Sequence, residues 1–428
     1  MRRSLLISAA VLFLCGAAQS RPFIIGADIS GLPQSEDRGT TYWDKGAQKD
    51  LFVILKDHKF NFIRLRIFVN PSATGGYSPG KNWCGLEETM KMAKRIRGAG
   101  MNFLLDFHMS DTWASIGVQK VPSSWSGKSD KEMQDSAYGH VKRSLQALVA
   151  QGTRPDWVQV GNEINSCMSG VCTSDWPRFA ALVNAGVKAV REVDPAIKVV
   201  MQHGRPRPDG NFQQWVDGLL KNNVDFDIIG GSTYGTTNNG GDWRDMFPQT
   251  VTKTKRPVVS LEYVADKTTL VNDVMFKVPN QMGMGGFLWE PTFYEVPIFT
   301  STDGKATGNK YLEAFDKLAT DYQATLYYPF TPGTTSLGPV QAAGFALQAR
   351  DGRFSFIAPR SGKVRFSIHT LDGKLLGEWD IPAQVGSNTL DGDKIRCLRE
   401  FGPKVLTLRS ENGSTIRMRW AGGIPSSR

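Results

Sequence analysis

Three things are missing from this chain, and each absence excludes a class of function. No run of five or more Lys or Arg occurs, although the net charge is +10 and the pI about 9.3. The chain therefore has no basic tail of the kind that wraps nucleic acid. After residue 15 no apolar stretch is long enough to cross a bilayer, which excludes a membrane-spanning helix in the remainder. No glycine-rich phosphate loop follows any of the β-rich runs, which argues against a nucleotide-binding doubly wound sheet. Cysteine is also scarce, five in 428 residues, too few for a disulfide-built scaffold. Charged residues at 21% and aromatics at 10% fit a globular chain with room for two or three domains.

The first twenty residues read as a leader. Met1-Arg2-Arg3 is basic, Leu5 to Cys15 is apolar, and Gly16-Ala17-Ala18-Gln19-Ser20 supplies small residues for cleavage after Ala18 or Ser20. Leu14 is larger than lipidation sites accept, which argues against an acylated Cys15. The expected location is secreted or periplasmic. Export leaves Cys84, Cys167, Cys172 and Cys397 in an oxidising compartment. Cys167 and Cys172 sit in one Ser/Gly-containing loop, where a disulfide and two free thiols are both compatible with the spacing. A basic exported protein suits an acidic polysaccharide or anionic surface, and export argues against nucleic acid.

From Phe23 onward, short β-rich runs alternate with helical patterns. Strands are predicted near Phe23–Ile29, Phe62–Val69, Asn102–His108, Trp157–Asn162, Ile197–Gln202, Phe226–Ser232, Pro257–Tyr263 and Gly285–Trp289. Helices are predicted at Gln48–His58, Leu86–Ala99, Asp130–Gln151, Asp175–Val193, Phe212–Asn222, Trp243–Thr252, Thr268–Lys277 and Lys310–Thr320. Eight strands each followed by a helix is the count of an α/β (β/α)8 TIM barrel, here spanning residues 21–326 behind a 1–20 signal peptide.

In such a barrel the carboxyl ends of the strands converge on one face, where the chemistry sits. Trp157-Val158-Gln159-Val160-Gly161-Asn162-Glu163 is a buried strand ending on a carboxylate, and Pro257-Val258-Val259-Ser260-Leu261-Glu262-Tyr263 is another. Two carboxylates on two strand ends can cleave a glycosidic bond. Retention of configuration requires them about 5–5.5 Å apart, one protonated and one ionised. Further polar or aromatic groups end other strands: Asp28, Arg66, Asp106 with His108, Tyr234 and Trp289, and Trp113 follows shortly after the third.

Several segments occur together in one order: Gly26-Ala27-Asp28-Ile29-Ser30, Asn61-Phe62-Ile63-Arg64-Leu65-Arg66, Leu105-Asp106-Phe107-His108, Ser110-Asp111-Thr112-Trp113-Ala114, Val160-Gly161-Asn162-Glu163 and Phe287-Leu288-Trp289-Glu290-Pro291. The set resembles the secreted endo-β-1,4-galactanases of glycoside hydrolase family 53, over roughly Phe23 to Ala319. The resemblance implies a retaining mechanism with Glu163 as acid/base and Glu262 as nucleophile. It implies Arg66 and Tyr234 as partners of Glu262, and Asn162 on the sugar 2-hydroxyl. Asp106 and His108 would bind sugar or tune Glu163, with Asp28 in support, Trp289 as the floor and Trp113 as a more distant platform. No cofactor is needed for the chemistry; the resemblance leaves a structural calcium open, but its site is not legible, since Asp266 and Asp273 read equally well as surface residues. The substrate implied is a plant-type β-1,4-galactan and the enzyme a monomer. Where the family usually has Ser-Tyr-Tyr-Pro after strand six, this chain has Ser232-Thr233-Tyr234-Gly235. Its strand-five loop, Arg205–Asp209, is basic and Pro-rich. These departures surround the pocket and bear on substrate choice, so another β-glycan such as mannan or β-glucan is an alternative. A catalytically retired sugar-binding barrel is a third.

Pro329, Pro332, Gly333 and Gly338 mark a linker over 327–342. From Ala343 short alternating runs, with turns at Asp351-Gly352, Asp372-Gly373 and Asn412-Gly413, predict a small antiparallel β-sandwich over 343–428. From Tyr327 on, 14 Lys/Arg face 8 Asp/Glu, so this tail carries six of the ten net charges. Its alternating arginines form either a solvated face or a contact for an acidic polysaccharide or cell surface.

Overall fold

The structure is a computed structural model. It describes residues 21–207, 211–235, 241–322 and 326–328, and toward the C-terminus 346–350, 353–358, 362–370, 375–383, 386–391, 404–410 and 415–420. The leader, most of the linker, the turns of the tail and Cys397 lie outside these residues.

Eight parallel strands close into a barrel: β1 (Ile24–Asp28), β2 (Phe62–Ile67), β3 (Asn102–Phe107), β4 (Trp157–Val160), β5 (Lys198–His203), β6 (Ile228–Ser232), β7 (Val258–Tyr263) and β8 (Gly283–Trp289). Each is followed by a helix: α1 (Leu51–Asp57), α2 (Leu86–Gly98), α3 (Asp130–Ala150), α4 (Trp176–Val193), α5 (Asn211–Lys221), α6 (Gly241–Thr254), α7 (Thr268–Lys277) and α8 (Lys310–Asp321). The β-α alternation in the sequence therefore maps strand for strand onto the barrel. Boundaries shift where capping decides them. Helix α1 starts three residues after the predicted Gln48 because Asp50 caps it, accepting from Phe52 N at 2.8 Å, while Gln48 is spent in a small strand. Strand β4 stops at Val160 because Gly161 (φ +86°) and Glu163 (φ +50°) turn the chain.

The barrel interior is layered by the period-two rule of strands. Ile24, Phe62, Leu104, Trp157, Val200, Ile228 and Phe287 form an apolar plug at the amino ends. Two residues further along come Arg64, Asp106, Gln159 and Gln202, all fully buried. One sheet period thus separates hydrophobic packing from the polar layer beneath the site. At the bottom Leu326–Tyr327 pairs in parallel with Arg21–Pro22. Tyr328 then packs edge-on to Phe62 and Trp157 and accepts from Trp157 Nε1 at 3.1 Å. Barrel packing thus runs two residues beyond 326.

The chain divides into two compact units, residues 1–146 with 155–330 and residues 147–154 with 331–428. The second holds two antiparallel sheets. One has three strands (Ala346–Arg350, Arg353–Ala358, Gly386–Asp391). The other has four, in the order Leu375–Ala383, Gly362–Thr370, Lys404–Ser410, Thr415–Trp420. Val364, Phe366 and Ile368 are buried, and Arg365 between them is engaged by Asp380 at 2.9 Å. Among the described residues no helix is long and apolar enough to cross a membrane.

Candidate active site

Glu163 and Glu262 open on the same face of the barrel and line one cleft of about 730 Å³, with Asn162, Tyr234, Trp113, Trp289 and Glu290. That volume is in the range of cavities that enclose a ligand several rings long. The two acids are joined by a short hydrogen-bonded bridge. Ser232 Oγ donates to Glu163 Oε1 at 2.6 Å. Gln202 Nε2 donates to Ser232 Oγ at 3.0 Å and to Glu262 Oε1 at 2.9 Å. The backbone of Glu163 is pinned from the same side, its N–H donating to Gln202 Oε1 at 3.1 Å. That bond holds a non-glycine residue in the left-handed region, a strained conformation found at functional positions.

The two acids have opposite surroundings. Burial, and then the charge of Glu262, push the Glu163 carboxyl up to about 7. Among the described residues it receives the Ser232 hydroxyl and Ile116 N–H, the latter at 3.1 Å. Glu262 faces three donors: Arg64 Nη2 at 3.0 Å, Gln202, and Tyr234 OH at 2.8 Å. The phenol of Tyr234 is pushed well above its ordinary range by burial and by Glu262, so it remains a donor. Gly204 makes room for the raised acid: a Cβ there would lie 2.9 Å from Glu163 Cδ and 2.4 Å from Ile116 Cγ1.

The arginine beside Glu262 is Arg64, not Arg66 as the sequence suggested. An arginine side chain is long and leans toward the carboxyl end of its strand. The inward residue one layer lower therefore reaches Glu262, while Arg66 reaches Glu290. Arg64 also holds Asp28 (3.0 Å), Asp106 (2.9 Å) and Asn162 Oδ1 (2.8 Å). Arg66 binds Glu290 and lies over the rings of Trp113 (4.5 Å), Tyr77 (5.3 Å) and Trp289 (5.6 Å).

Asp106 and His108 are fully buried. Asp106 faces Arg64, with His108 Nε2 3.0 Å away, and His108 Nδ1 accepts from Ala114 N–H at 3.2 Å. They lie beneath the site and touch neither the cleft nor Glu163, contrary to the sugar-binding or tuning roles expected of them. Asp28 likewise supports from below, holding Arg64 and the Ser30 hydroxyl (2.6 Å). Trp289 forms the floor, only 8% exposed, and Trp113 stands edge-on to it at 6.0 Å, 39% exposed.

Five contributors were not singled out in the sequence: Arg64, Gln202, Gln159, Ser232 and Glu290. Arg64, Gln159 and Gln202 carried a readable signal, a polar residue at the inward position near the end of an otherwise apolar strand. Glu290 (φ +35°) accepts from Gly31 N–H at 2.9 Å, and burial pushes its carboxyl up to about 7 against the pull of Arg66. Cys167 and Cys172 form a disulfide, which closes the loop after Glu163. Cys84 is buried, and burial pushes its thiol up to about 12. Among the described residues no group of three or more His, Cys, Asp or Glu gathers as a metal site, and Asp273 is paired with Lys277 at 2.9 Å.

The closed barrel and its pair of unlike carboxyls define a barrel glycoside hydrolase. The sequence profile of glycosyl hydrolase family 53 matches residues 24–264, more than half of the chain, and the chain belongs to that family. It is 31% identical over 311 residues to an endo-β-1,4-galactanase of Bacillus subtilis, covering 65% of this chain and 72% of that one. It is 33% identical over 252 residues to an arabinogalactan endo-β-1,4-galactanase of Cellvibrio japonicus, covering 55% of this chain and 64% of that one. In fold it is similar to the family 53 catalytic domain of Ignisphaera aggregans, with a TM-score of 0.63 at 24% identity, covering 69% of this chain and 95% of that one.

Proposed function

We propose that the protein is a retaining, endo-acting hydrolase of β-1,4-galactan that works outside the cytoplasm. The observation that carries the reading is the Ser232–Gln202 bridge. It sets an acid raised to near neutrality beside a carboxylate with three donors. The galactanase relatives supply the substrate, and the leader-like first residues with the Cys167–Cys172 disulfide support export.

In the first step a Glu262 oxygen attacks the anomeric carbon while Glu163 gives its proton to the departing glycosidic oxygen. The product is a covalent glycosyl-enzyme and a free chain end. In the second, Glu163, now a carboxylate, takes a proton from water, which attacks the same carbon and releases Glu262. Burial favours protonated Glu163 for the first step. One amide hydrogen of Asn162 goes to Ala114 O at 2.7 Å, which leaves the other for the sugar 2-hydroxyl.

The test is incubation with potato galactan beside a panel of mannan and β-glucans, with products followed by NMR. Galacto-oligosaccharides appearing first as the β-anomer are expected. Cleavage of another β-glycan alone would move the substrate, first-formed α-anomer would overturn retention, and binding without cleavage would overturn hydrolysis.

Two further outcomes follow from the site. The free enzyme must hold Glu163 protonated, so kcat/KM falls as pH rises through about 7, tenfold per pH unit beyond it. Glu163→Gln should remove that limb from the residual activity, and a pH–rate profile on soluble galactan checks both. Tyr234→Phe deletes one hydrogen bond to a charged group, worth about 1.5–3 kcal/mol. A roughly 10- to 100-fold loss of kcat with little change in Tm is expected, read by kinetics and calorimetry.

A further inference from the structure

The four-stranded sheet of the tail has two unlike faces. Along Gly362–Thr370, Val364, Phe366 and Ile368 are buried, while Lys363 and Arg365 are exposed. The antiparallel register carries this division across the next two strands, Lys404–Ser410 and Thr415–Trp420. Phe366 stands opposite Leu408 and Ile368 opposite Leu406, which in turn stand opposite Ile416 and Met418. These apolar positions share the face of the buried three. Arg365 stands opposite Arg409 and Ser367 opposite Thr407, while Thr415, Arg417 and Arg419 pair with Arg409, Thr407 and Val405. Alternation therefore assigns Val405, Thr407, Arg409, Thr415, Arg417 and Arg419 to the face of Arg365.

Charge on that face is graded from one edge to the other. Arg365 is engaged by Asp380 at 2.9 Å and Glu378 at 3.7 Å, both on the edge strand Leu375–Ala383. On its other side, none of the six positions holds an acidic residue. Arg409 lies directly opposite Arg365, and Arg417 is one diagonal step from Arg409. Side chains so related start about 4.5–5.5 Å and about 7–8 Å apart, and like charges set opposite one another destabilise a sheet. Solubility is served by interspersed signs, and edge protection by lysine on the outermost strand. Here every charged position on that face of the two strands is arginine, on the inner strand as well as the outer.

The residue types indicate the occupant. A guanidinium grips a carboxylate or phosphate with two parallel hydrogen bonds. Neither strand places an aromatic residue on this face, so it has no wedge for a membrane and no stacking platform for single-stranded nucleic acid. Threonines alternate with the arginines, Thr415 opposite Arg409 and Thr407 opposite Arg417, and a hydroxyl both donates to and accepts from sugar hydroxyls. A carboxylated polysaccharide matches both residue types. Pectic galactans are side chains of galacturonate-bearing backbones, so the polymer that carries the neutral substrate also carries the complementary charge.

We propose that the arginine positions brought together on Gly362–Thr370, Lys404–Ser410 and Thr415–Trp420 form a docking face for polyuronate. It would hold the enzyme to the acidic backbone of the polymer whose neutral side chains it cleaves. The choice of polyuronate rests on the hydrolase reading above; the face and its charge do not.

The experiment measures Kd of the full chain for polygalacturonate, by affinity electrophoresis and calorimetry, in wild type and in Arg409→Gln/Arg417→Gln/Arg419→Gln. Polygalacturonate contains no β-1,4-galactan, so it does not report on the catalytic cleft. Wild type should bind, more weakly as salt rises. The triple variant should bind at least about tenfold more weakly, with kcat/KM on a short neutral galacto-oligosaccharide as in wild type. Equal Kd at equal Tm overturns the proposal. Wild-type binding to phosphatidylglycerol vesicles or single-stranded DNA as tight as to polygalacturonate overturns it too. If the glutamine variant melts early, the corresponding triple lysine variant replaces it. That variant keeps the charge and loses the fork, so weaker binding than wild type supports the face and equal binding overturns it. A wild type that binds polygalacturonate but cleaves no β-glycan overturns the hydrolase reading and leaves the face standing.

Discussion

Glu262→Gln should abolish hydrolysis of polysaccharide and aryl glycosides alike, lowering kcat by at least about 10⁴-fold. Without a nucleophile no covalent intermediate forms, and groups that act as a unit fail together. Glu163→Gln should behave differently. It removes general acid/base help, worth about 10²–10⁴-fold, on substrates whose leaving group needs a proton. Aryl glycosides with acidic phenols leave unaided, so their first step should survive and an initial burst of phenol should appear while the second step stalls. Azide, which needs no general base, should restore turnover of Glu163→Gln and release a β-glycosyl azide. Stopped-flow measurement of phenol release with and without azide separates the two roles. Equal behaviour of both variants would remove the assignment of acid and nucleophile. Both substitutions change side-chain volume little, so each variant should retain the wild-type circular dichroism spectrum.

The second large effect is structural. Arg64→Met should cost about 3–5 kcal/mol, because breaking a buried ion pair leaves uncompensated charge behind. Here the guanidinium touches Asp28, Asp106 and Glu262, all buried; in the variant Arg66 still reaches Asp28 at 3.6 Å, but Asp106 and Glu262 lose their arginine partner. The expected result is a marked fall in Tm, tested by thermal melts of wild type and variant in the same buffer. An unchanged Tm would show that the buried ion pairs of Arg64 do not hold the barrel together. Arg66→Met should be milder for the catalytic pair, because Arg66 serves Glu290 and the aromatic rings and not Glu262.

The order of elements and the meeting of Glu163 and Glu262 at one cleft were legible in the sequence for a simple reason. Buried parallel strands are short apolar runs, and a Glu at the end of such a run is conspicuous. The partners of those acids were harder. Arg64 and Arg66 share a strand face, and alternation alone does not say how far a long side chain reaches along the barrel axis. Asp106 and His108 were placed correctly at a strand end, but whether such an end meets solvent or lies under a neighbour depends on the loops above it. Here Ala114, in the long connection after β3, closes over His108. Gln202 was quoted only as the end of a strand. Its role as a bridge became visible once Ser232 and Glu262, from two later strands, stood on either side of it.

Tyr328 has a practical consequence for anyone dissecting the chain. The family profile stops at residue 264, before β8 and Trp289 have been supplied. The composition change near 327 suggests a cut one ring too early. A fragment ending at 326 would lose the aromatic stopper under Phe62 and Trp157, and water would reach the base of the barrel opposite the catalytic face. A severed catalytic module should therefore keep Tyr328, and a one-residue series of truncations from 330 down to 325 should show a sharp step in melting temperature when that ring is lost.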